Sequence, residues 1–489
     1  MFRGLRYGES TAGAQRFLAP LPVRPWSGVR DALTAGHSAP QIPRPAAPLT
    51  SWYFDVQSCN EDCLFLDLVT PATDAARRPV MVWLHGGGWA QCAGTAPGFD
   101  ATALARDGDV VVVCPNHRLN VFGHLDLGAE DERFADSANA GVLDLLEVLR
   151  WVHDNIAAFG GDPDNVTIFG QSGGAAKVTA LLALPAARGL FHKAAVQSCS
   201  GGMRLCPRED AQAQAHALAA GLGLARPDPQ ALQALPMESV LKAMAGMNSV
   251  SRPVLDGRHF FEHPFDGVAL PAISDIPLLI GTAADEMTFF LAGDRRNFFL
   301  DEARVLARLT RLLAIEPGPT KLLYAAYQDV LADPSPSQVL IAATTDYVYR
   351  RNTTRIARLK AAQRGAPVHA YRFDWHARGM EGLLGATHTA EVPFIFGTTD
   401  RAAALLGAGD DLQVLTRQMI ARWSAFARTG SPQAEGLAYW PAHEAAAYDA
   451  MLLDVDSRAA SDPDRQRLAL LEDLPYFEYG MPANALLRG

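Results

Sequence analysis

At 489 residues the chain is long for one domain by size alone. Its 53 acidic and 43 basic residues leave a formal net charge of −10, and with no basic run to override that sign, general nucleic-acid binding is disfavoured. No apolar run reaches the roughly 18 residues of a membrane span, and Met1–Tyr7 has neither an apolar core of roughly 7 or more residues nor a cleavage site, so neither a span nor a signal peptide is expected.

In chain order, Arg78-Pro79 leads into Val80–Leu84, an apolar run of strand length that ends in His85-Gly86-Gly87-Gly88. Ser137–Ala158 reads as a helix, with Leu143, Leu146, Leu149 and Val152 at near-helical spacing. Asn165–Phe169 is a second short apolar run, followed by Gly170-Gln171-Ser172-Gly173-Gly174 and a helix-like stretch from Ala175 to Leu184. The segment from about 204 to 360 is less regular. It holds helical pieces at Asp210–Leu222 and Glu302–Ile315, and a strand at Ile276–Thr282. Val368–Phe373 alternates like a strand, and Asp411–Thr429 carries Leu415, Met419, Trp423 and Phe426 on one helical side, closed by Gly430 and Pro432. Strands alternating with helix-length stretches predict an α/β fold, a mostly parallel sheet covered on both faces. The candidate functional residues below run from Gly87 to His388, so residues 1–489 are read as one domain with a largely helical cap region around 204–360.

The strand, sharp turn and helix around Ser172 make it the candidate nucleophile. A free serine hydroxyl is a poor nucleophile near neutral pH; it becomes useful when a tight turn pushes it toward a base and beside unpaired backbone N–H groups. Small residues on both sides are what such a turn demands. Taken alone the pentapeptide is also an ordinary glycine turn, and its flanks tip the balance. Three glycines after the Val80–Leu84 strand let the backbone turn its N–H groups toward one point. Gly87 and Gly88, with the N–H of Gly173, are read as an oxyanion hole, in which loss of one donor typically costs about 3 kcal/mol. A merely flexible loop is the alternative. His85 is read as a structural hydrogen-bonding residue beneath the loop. Gly86–Gly88 lacks dinucleotide-binding spacing, and there is no phosphate-binding lysine loop.

A serine of this kind needs a base and a group orienting that base, in the chain order serine, acid, histidine. The acid falls in Ala283-Ala284-Asp285-Glu286, after the strand at 276–282. Of the 13 histidines, His388 stands out by position, in the Gly385-Ala386-Thr387-His388 loop after the strand at 368–373. Phe289, Phe290, Phe298 and Phe299 follow the acid and line either an apolar entrance or the packing of the cap. Trp89, just after the glycine triplet, belongs either to the pocket wall or to the core.

Glu61–Leu66, Val82–Gly88, Asn116–Asn120, Phe159–Pro163, the Ser172 elbow, Asp285-Glu286 and His388–Glu391 occur together and in this order. Over nearly the whole chain they resemble the type-B carboxylesterases of the α/β-hydrolase superfamily. The resemblance implies an α/β-hydrolase fold and a serine carboxylesterase acting through an acyl-enzyme. In it Ser172 is the nucleophile, His388 the general base and later acid, and Glu286 the orienting acid, with Asp285 as its competitor. It implies buried ion pairs of Arg16 with Glu61 and of Arg118 with Asp162. It implies a small-molecule ester substrate, and neither metal nor organic cofactor.

Several positions depart from the family pattern. Gln171 stands where the cholinesterase branch often has glutamate, which argues against a site tuned for cationic choline esters. Gly173 stands for a frequent alanine, while Met287 and Thr389 replace frequent glycines. Secreted members pair the position of Cys63 with a cysteine just before a Pro-Gln dipeptide; here that place is Ala39, ahead of Pro40-Gln41. The six cysteines are therefore read as reduced thiols in a cytoplasmic protein, with a Cys199–Cys206 bridge as the alternative. Family members complete a short N-terminal hairpin before the point where this chain begins, so either the hairpin is absent or translation starts upstream of Met1. Two rival functions use the same residues or none: an amidase, carbamate hydrolase or lactonase on the same triad, and a non-catalytic binding protein on the same scaffold.

Overall fold

The structure, a computed structural model, describes residues 1–477 apart from 57, 248–250, 333 and 446–447. Ten strands among the described residues form one sheet in the order β1-β2-β4-β3-β5-β6-β7-β8-β9-β10. The strands are β1 (Phe2–Arg6), β2 (Phe65–Val69), β3 (Arg78–Leu84), β4 (Val111–Pro115) and β5 (Gly161–Gln171). They continue with β6 (Lys193–Gln197), β7 (Leu278–Ala283), β8 (Val368–Phe373), β9 (Asp449–Leu453) and β10 (Arg458–Ser461). From β4 through β9 every pairing is parallel; the antiparallel partners sit at the two margins.

Both faces are buried, and the period of two along each strand divides the core. Val80, Val82 and Leu84 of β3, Val111 and Val113 of β4 and Val166 and Ile168 of β5 join one cluster. Their neighbours Met81, Trp83, Val112, Cys114 and Phe169 join the other. A strand covered on both faces must be apolar at every position, which is why these strands read as continuous rather than alternating runs. The helices α1 (Ala140–Asn155) and α2 (Gly173–Ala183) cover the first face, where Leu143, Leu146, Leu149 and Val152 lie. The helix α4 (Asp411–Thr429) covers the second with Leu415, Met419, Trp423 and Phe426. A further helix, α3 (Arg351–Ala361), adds Ile356 and Ala357 to the first. The predicted Ser137–Ala158 helix is α1 flanked by single 3₁₀ turns at Ser137–Asn139 and Ile156–Phe159.

Between β6 and β8 the chain is largely helical, with β7 as its one contribution to the sheet among the described residues. The helices Glu302–Leu313, Pro317–Leu331 and Pro336–Thr345 close on each other around Val305, Leu309, Tyr327 and Leu340, a core separate from the sheet's two faces. The helix Arg208–Gly221 packs with the loop after β4 around Leu218, Val121 and Phe122.

Arg16 pairs with Glu61 through its Nε at 2.6 Å, both largely buried. The pairing expected of Arg118 is different. Its guanidinium meets Asp144 of α1, Nη2 to Oδ1 at 2.6 Å and Nε to Oδ2 at 2.9 Å, with both side chains removed from solvent. Asp162 instead meets Arg77 at 2.6 Å near the surface. The cause is topological: Arg118 follows the carboxyl end of β4, whereas Asp162 lies at the amino end of β5, and parallel strands hold those ends at opposite edges of the sheet. All six cysteines are unpaired, and among the described residues no helix is long and apolar enough to cross a membrane.

Arg118→Met leaves the Asp144 carboxylate buried without its partner and is expected to destabilise the protein by about 3–5 kcal/mol in urea unfolding, with Arg118→Met/Asp144→Leu losing less than the single change.

Candidate active site

Every sequence-predicted site residue lies beyond the carboxyl end of a parallel strand. The glycine loop follows β3, Ser172 follows β5, Glu286 follows β7 and His388 follows β8. The register aligns these ends: Leu84 pairs with Gly170, Gln171 with Gln197, Gln197 with Gly281, and Ala283 with Phe373. One rim of the sheet therefore collects groups that are hundreds of residues apart in the chain, as open α/β sheets do.

Ser172 alone joins β5 to α2, with φ 59° and ψ −121°. Backbone of this kind costs a residue with a Cβ about 1–3 kcal/mol and persists only where the surroundings hold it. Here the Ser172 N–H donates to the Gln197 carbonyl on β6 at 2.8 Å, and the Ser172 carbonyl accepts from the Ala176 N–H at 3.2 Å. The helix behind the serine is pressed onto the end of β3. A Cβ on Gly174 would lie 1.9 Å from the Leu84 carbonyl oxygen, and one on Gly173 would lie 2.4 Å from the backbone of Gly88. The glycine loop itself turns through φ +81° at Gly87 and +66° at Gly88. Ser172, Gly87 and Gly88 are half-buried while the residues around them are buried. The N–H of Gly173 opens α2 and has no intrahelical partner to satisfy it.

Glu286 and His388 meet. The Nδ1–H of His388 donates to Glu286 Oε2, while Glu286 Oε1 accepts from the Ala283 N–H at 2.7 Å. Both side chains are almost wholly buried. This bond consumes one ring nitrogen and leaves the Nε2 edge on the far side of the imidazole. Asp285 points elsewhere: its Oδ2 accepts from the Ala386 N–H at 2.9 Å and its own N–H donates to the Ala386 carbonyl at 2.8 Å. It ties the acid loop to the histidine loop, and burial raises its pKa. Thr389, which replaces a frequent glycine, has φ +74°. That conformation explains the usual glycine, and the Thr389 hydroxyl is buried without a hydrogen-bond partner. Met287 is buried among the helices after β7, and its N–H donates to Thr345 Oγ1 at 3.2 Å.

Gln171 does more than lack a charge. Its Oε1 accepts from the Tyr53 hydroxyl at 2.8 Å, and its Nε2 lies 3.1 Å and 3.3 Å from the two ring nitrogens of His388. Near-equal distances to both nitrogens place the amide over the ring face, because an in-plane bond to one nitrogen would hold the other much farther away. Behind this pair lies Glu391, fully buried. Its Oε1 is 3.5 Å from Gln197 Nε2 and its Oε2 has no partner. Burial first, then the charge of Glu286, push its pKa up to about 8, so near neutral pH it is held as the uncharged acid.

The residues that sequence reasoning missed arrive from a distance. Arg350 donates from Nη2 to the carbonyls of Ala283 and Ala284, at 2.9 and 3.0 Å, gripping the turn that carries Glu286. It is itself held by Asp346 and Asp464, both at 3.0 Å. The backbone over Asp346–Arg350 is a π-helical turn, a form often found at functional sites. It also swings Tyr349 to 4.9 Å from the His388 ring. Phe290 and Phe289 stand at 5.2 and 5.8 Å from the same ring. Phe298, by contrast, is packed inside and Phe299 is exposed. Trp89 is only 3% exposed and lies in the core beneath the glycine loop. His85 is buried there too, its Nδ1 bonded to the Gly86 carbonyl at 2.9 Å; burial and the nearby Lys177 push its pKa well down, so it is neutral. Among the described residues no group of three or more histidine, cysteine or acidic side chains could hold a metal ion.

A parallel sheet with helices on both faces, a strained serine between strand and helix and a carboxylate-bound histidine on the same rim define an α/β-hydrolase. The profile of the Carboxylesterase family matches residues 1–471, and the chain belongs to that family. It is 35% identical over 477 residues to the para-nitrobenzyl esterase of Bacillus subtilis, covering 95% of this chain and 93% of that protein. It is 36% identical to the phenmedipham hydrolase of Pseudarthrobacter oxydans, covering 91% and 89% of the two chains. A crystal structure of a Geobacillus stearothermophilus carboxylesterase superposes with a TM-score of 0.84 at 36% identity, covering 96% of this chain and 95% of the other. The protein is a carboxylic ester hydrolase.

Gln171→Glu sets a buried carboxylate against the imidazole and favours its protonated form. The acidic limb of kcat/KM for a neutral p-nitrophenyl ester is expected to move to higher pH. Glu391 holds in the native state a proton that the unfolded chain releases near the ordinary value of 4.5. Its contribution is therefore complete on the acid side of 4.5, declines as pH rises toward about 8 and is lost above that. Glu391→Gln removes this dependence, so its Tm relative to the unaltered protein is expected to rise from acid to alkaline pH.

Proposed function

We propose that the protein hydrolyses carboxylic esters through an acyl-enzyme on Ser172. Ser172 Oγ attacks the ester carbonyl while Nε2 of His388 takes its proton. Glu286 holds the imidazole in the tautomer that leaves Nε2 free to accept, and stabilises the imidazolium that forms. The N–H groups of Gly87, Gly88 and Gly173 receive the oxyanion of the tetrahedral intermediate. The imidazolium returns its proton to the departing alcohol. Water then attacks the acyl-enzyme with His388 again as base, and the acid leaves with Ser172 restored.

The observation that carries this reading is the joint presence on one rim of the Ser172 elbow and the Glu286-bonded His388. The helices between β6 and β8 are proposed as the cap that shapes the substrate pocket, with Phe289, Phe290 and Tyr349 on its inner side. A cytoplasmic setting suits six unpaired thiols.

The name of the phenmedipham hydrolase relative, at 36% identity, justifies testing phenmedipham beside simple esters. Ser172→Ala is expected to abolish hydrolysis of p-nitrophenyl esters and covalent labelling by an organophosphate while the protein stays folded. Wild-type turnover in the purified variant would refute the nucleophile assignment. p-Nitrophenyl esters of increasing acyl length, matched anilides and phenmedipham then separate esterase, amidase and carbamate hydrolase by their kcat/KM values.

A further inference from the structure

Lys177 is an anomaly in the core. It sits on α2, one turn after Gly173, and is wholly removed from solvent. Side chains on a helix lean toward its amino end, and Lys177 follows that rule: its Nζ reaches back beneath the glycine loop and donates to the carbonyl of His85 at 2.8 Å. Among the described residues no carboxylate lies within ion-pair distance of it. Its neighbours include Trp89, whose ring centre is 5.5 Å from Nζ, the Cys92 thiol, and His85 and His117, stacked on each other at 5.0 Å. His124 meets the same Trp89 edge-on at 5.0 Å.

A buried amine without an anion is costly, and a leucine or methionine at this place would pack without that cost. Burial pushes its pKa down to about 7. The ammonium and the neutral amine both keep an N–H for a carbonyl, so the contact with His85 survives either way. That contact acts at the start of a segment whose path is otherwise set by packing, Gly86 against the Tyr53 hydroxyl and Gly88 against Gly173. The His85 carbonyl shares one rigid peptide plane with the Gly86 N–H, and the glycines that follow have no side chains to lock their rotations. The far end of the loop is secured by backbone: the Gly87 carbonyl accepts from the N–H groups of Ala90 and Gln91 at 3.3 and 3.2 Å. The near end is where Lys177 grips.

We propose that Lys177 is a positioning residue for ester hydrolysis: by holding the His85 carbonyl it fixes the backbone from which Gly87 and Gly88 aim their N–H groups at the oxyanion. This rests on the oxyanion hole proposed above. Lys177 touches no reacting atom. Its effect is confined to the transition state, because the ground-state carbonyl draws little on those donors.

The test replaces Lys177 by methionine, which keeps the length and loses the donor, and by glutamine, which keeps a donor on a shorter stem. Lys177→Met is expected to lower kcat for a short p-nitrophenyl ester about 10- to 100-fold with KM nearly unchanged. The inhibition constant of a trifluoromethyl ketone, whose adduct with the serine carries an oxyanion, rises by the same factor. Lys177→Gln recovers part of both. A folded methionine variant with wild-type kcat overturns the proposal. So does a loss of kcat that the trifluoromethyl ketone does not share, which marks a merely structural role. If the methionine variant does not fold, the glutamine variant carries the same paired comparison. Ser172→Ala, run alongside, separates the two levels: retained turnover there removes the underlying mechanism, whereas an inactive Ser172→Ala beside fully active Lys177 variants removes only this proposal.

Discussion

The structure depends on how closely the backbone of α2 is pressed against the end of β3. With Gly174 against the Leu84 carbonyl and Gly173 against Gly88, no room is left for a gentler path from β5 into the helix. Ser172 is forced through a conformation that residues with a Cβ avoid, and the bond to Gln197 on the next strand keeps it there. The same closeness brings the glycine loop beside the first free N–H of the helix. The proposed nucleophile and the proposed oxyanion donors are thus products of one packing constraint.

The second determinant is the sheet itself. Strands buried on both faces and paired in parallel over β4 to β9 bring their carboxyl ends to a common rim. A short loop after β7 and a longer one after β8 then bring Glu286 to His388. Those loops are tied to each other by Asp285 and anchored from behind by Arg350. The ion pairs in this layer act as scaffold: they hold carbonyls and turns in place, and the groups proposed to react lie in front of them.

The electrostatics behind the histidine follow from burial. Glu286 is satisfied by the imidazole and a backbone N–H, whereas Glu391, deprived of comparable partners, keeps its proton to about pH 8. Gln171 adds a dipole and no charge against the ring. In the layer below the glycine loop, His85, His117 and His124 are all pushed toward neutrality, chiefly by burial. These three histidines and Glu391 therefore add no charge near neutral pH, in a region where each would act strongly.

Much of this was legible in the residues themselves. Apolar runs of strand length, helical spacing in α1 and α4 and the glycines around Ser172 are local patterns, and local patterns record the period and sterics of the element they form. Motif order singles out Ser172, His388 and the Asp285-Glu286 pair as candidates, and the family resemblance picks Glu286 from that pair. Pairing was less legible. The family resemblance implies a pair of Arg118 with Asp162, yet parallel strands send those positions to opposite edges and Asp144 is the partner. The amide of Gln171 over the imidazole, the π-turn that brings in Tyr349 and Arg350, and the Lys177 contact with His85 leave no local trace. Chain chemistry by itself determined the layered fold and the strand ends at which chemistry can occur, since these follow from period, burial and turn sterics, while the motifs in their order carried the resemblance to the family. Only the tertiary structure decided which side chains touch there, because contacts between distant residues depend on strand register, helix rotation and rotamer, and none of these is encoded at a single position.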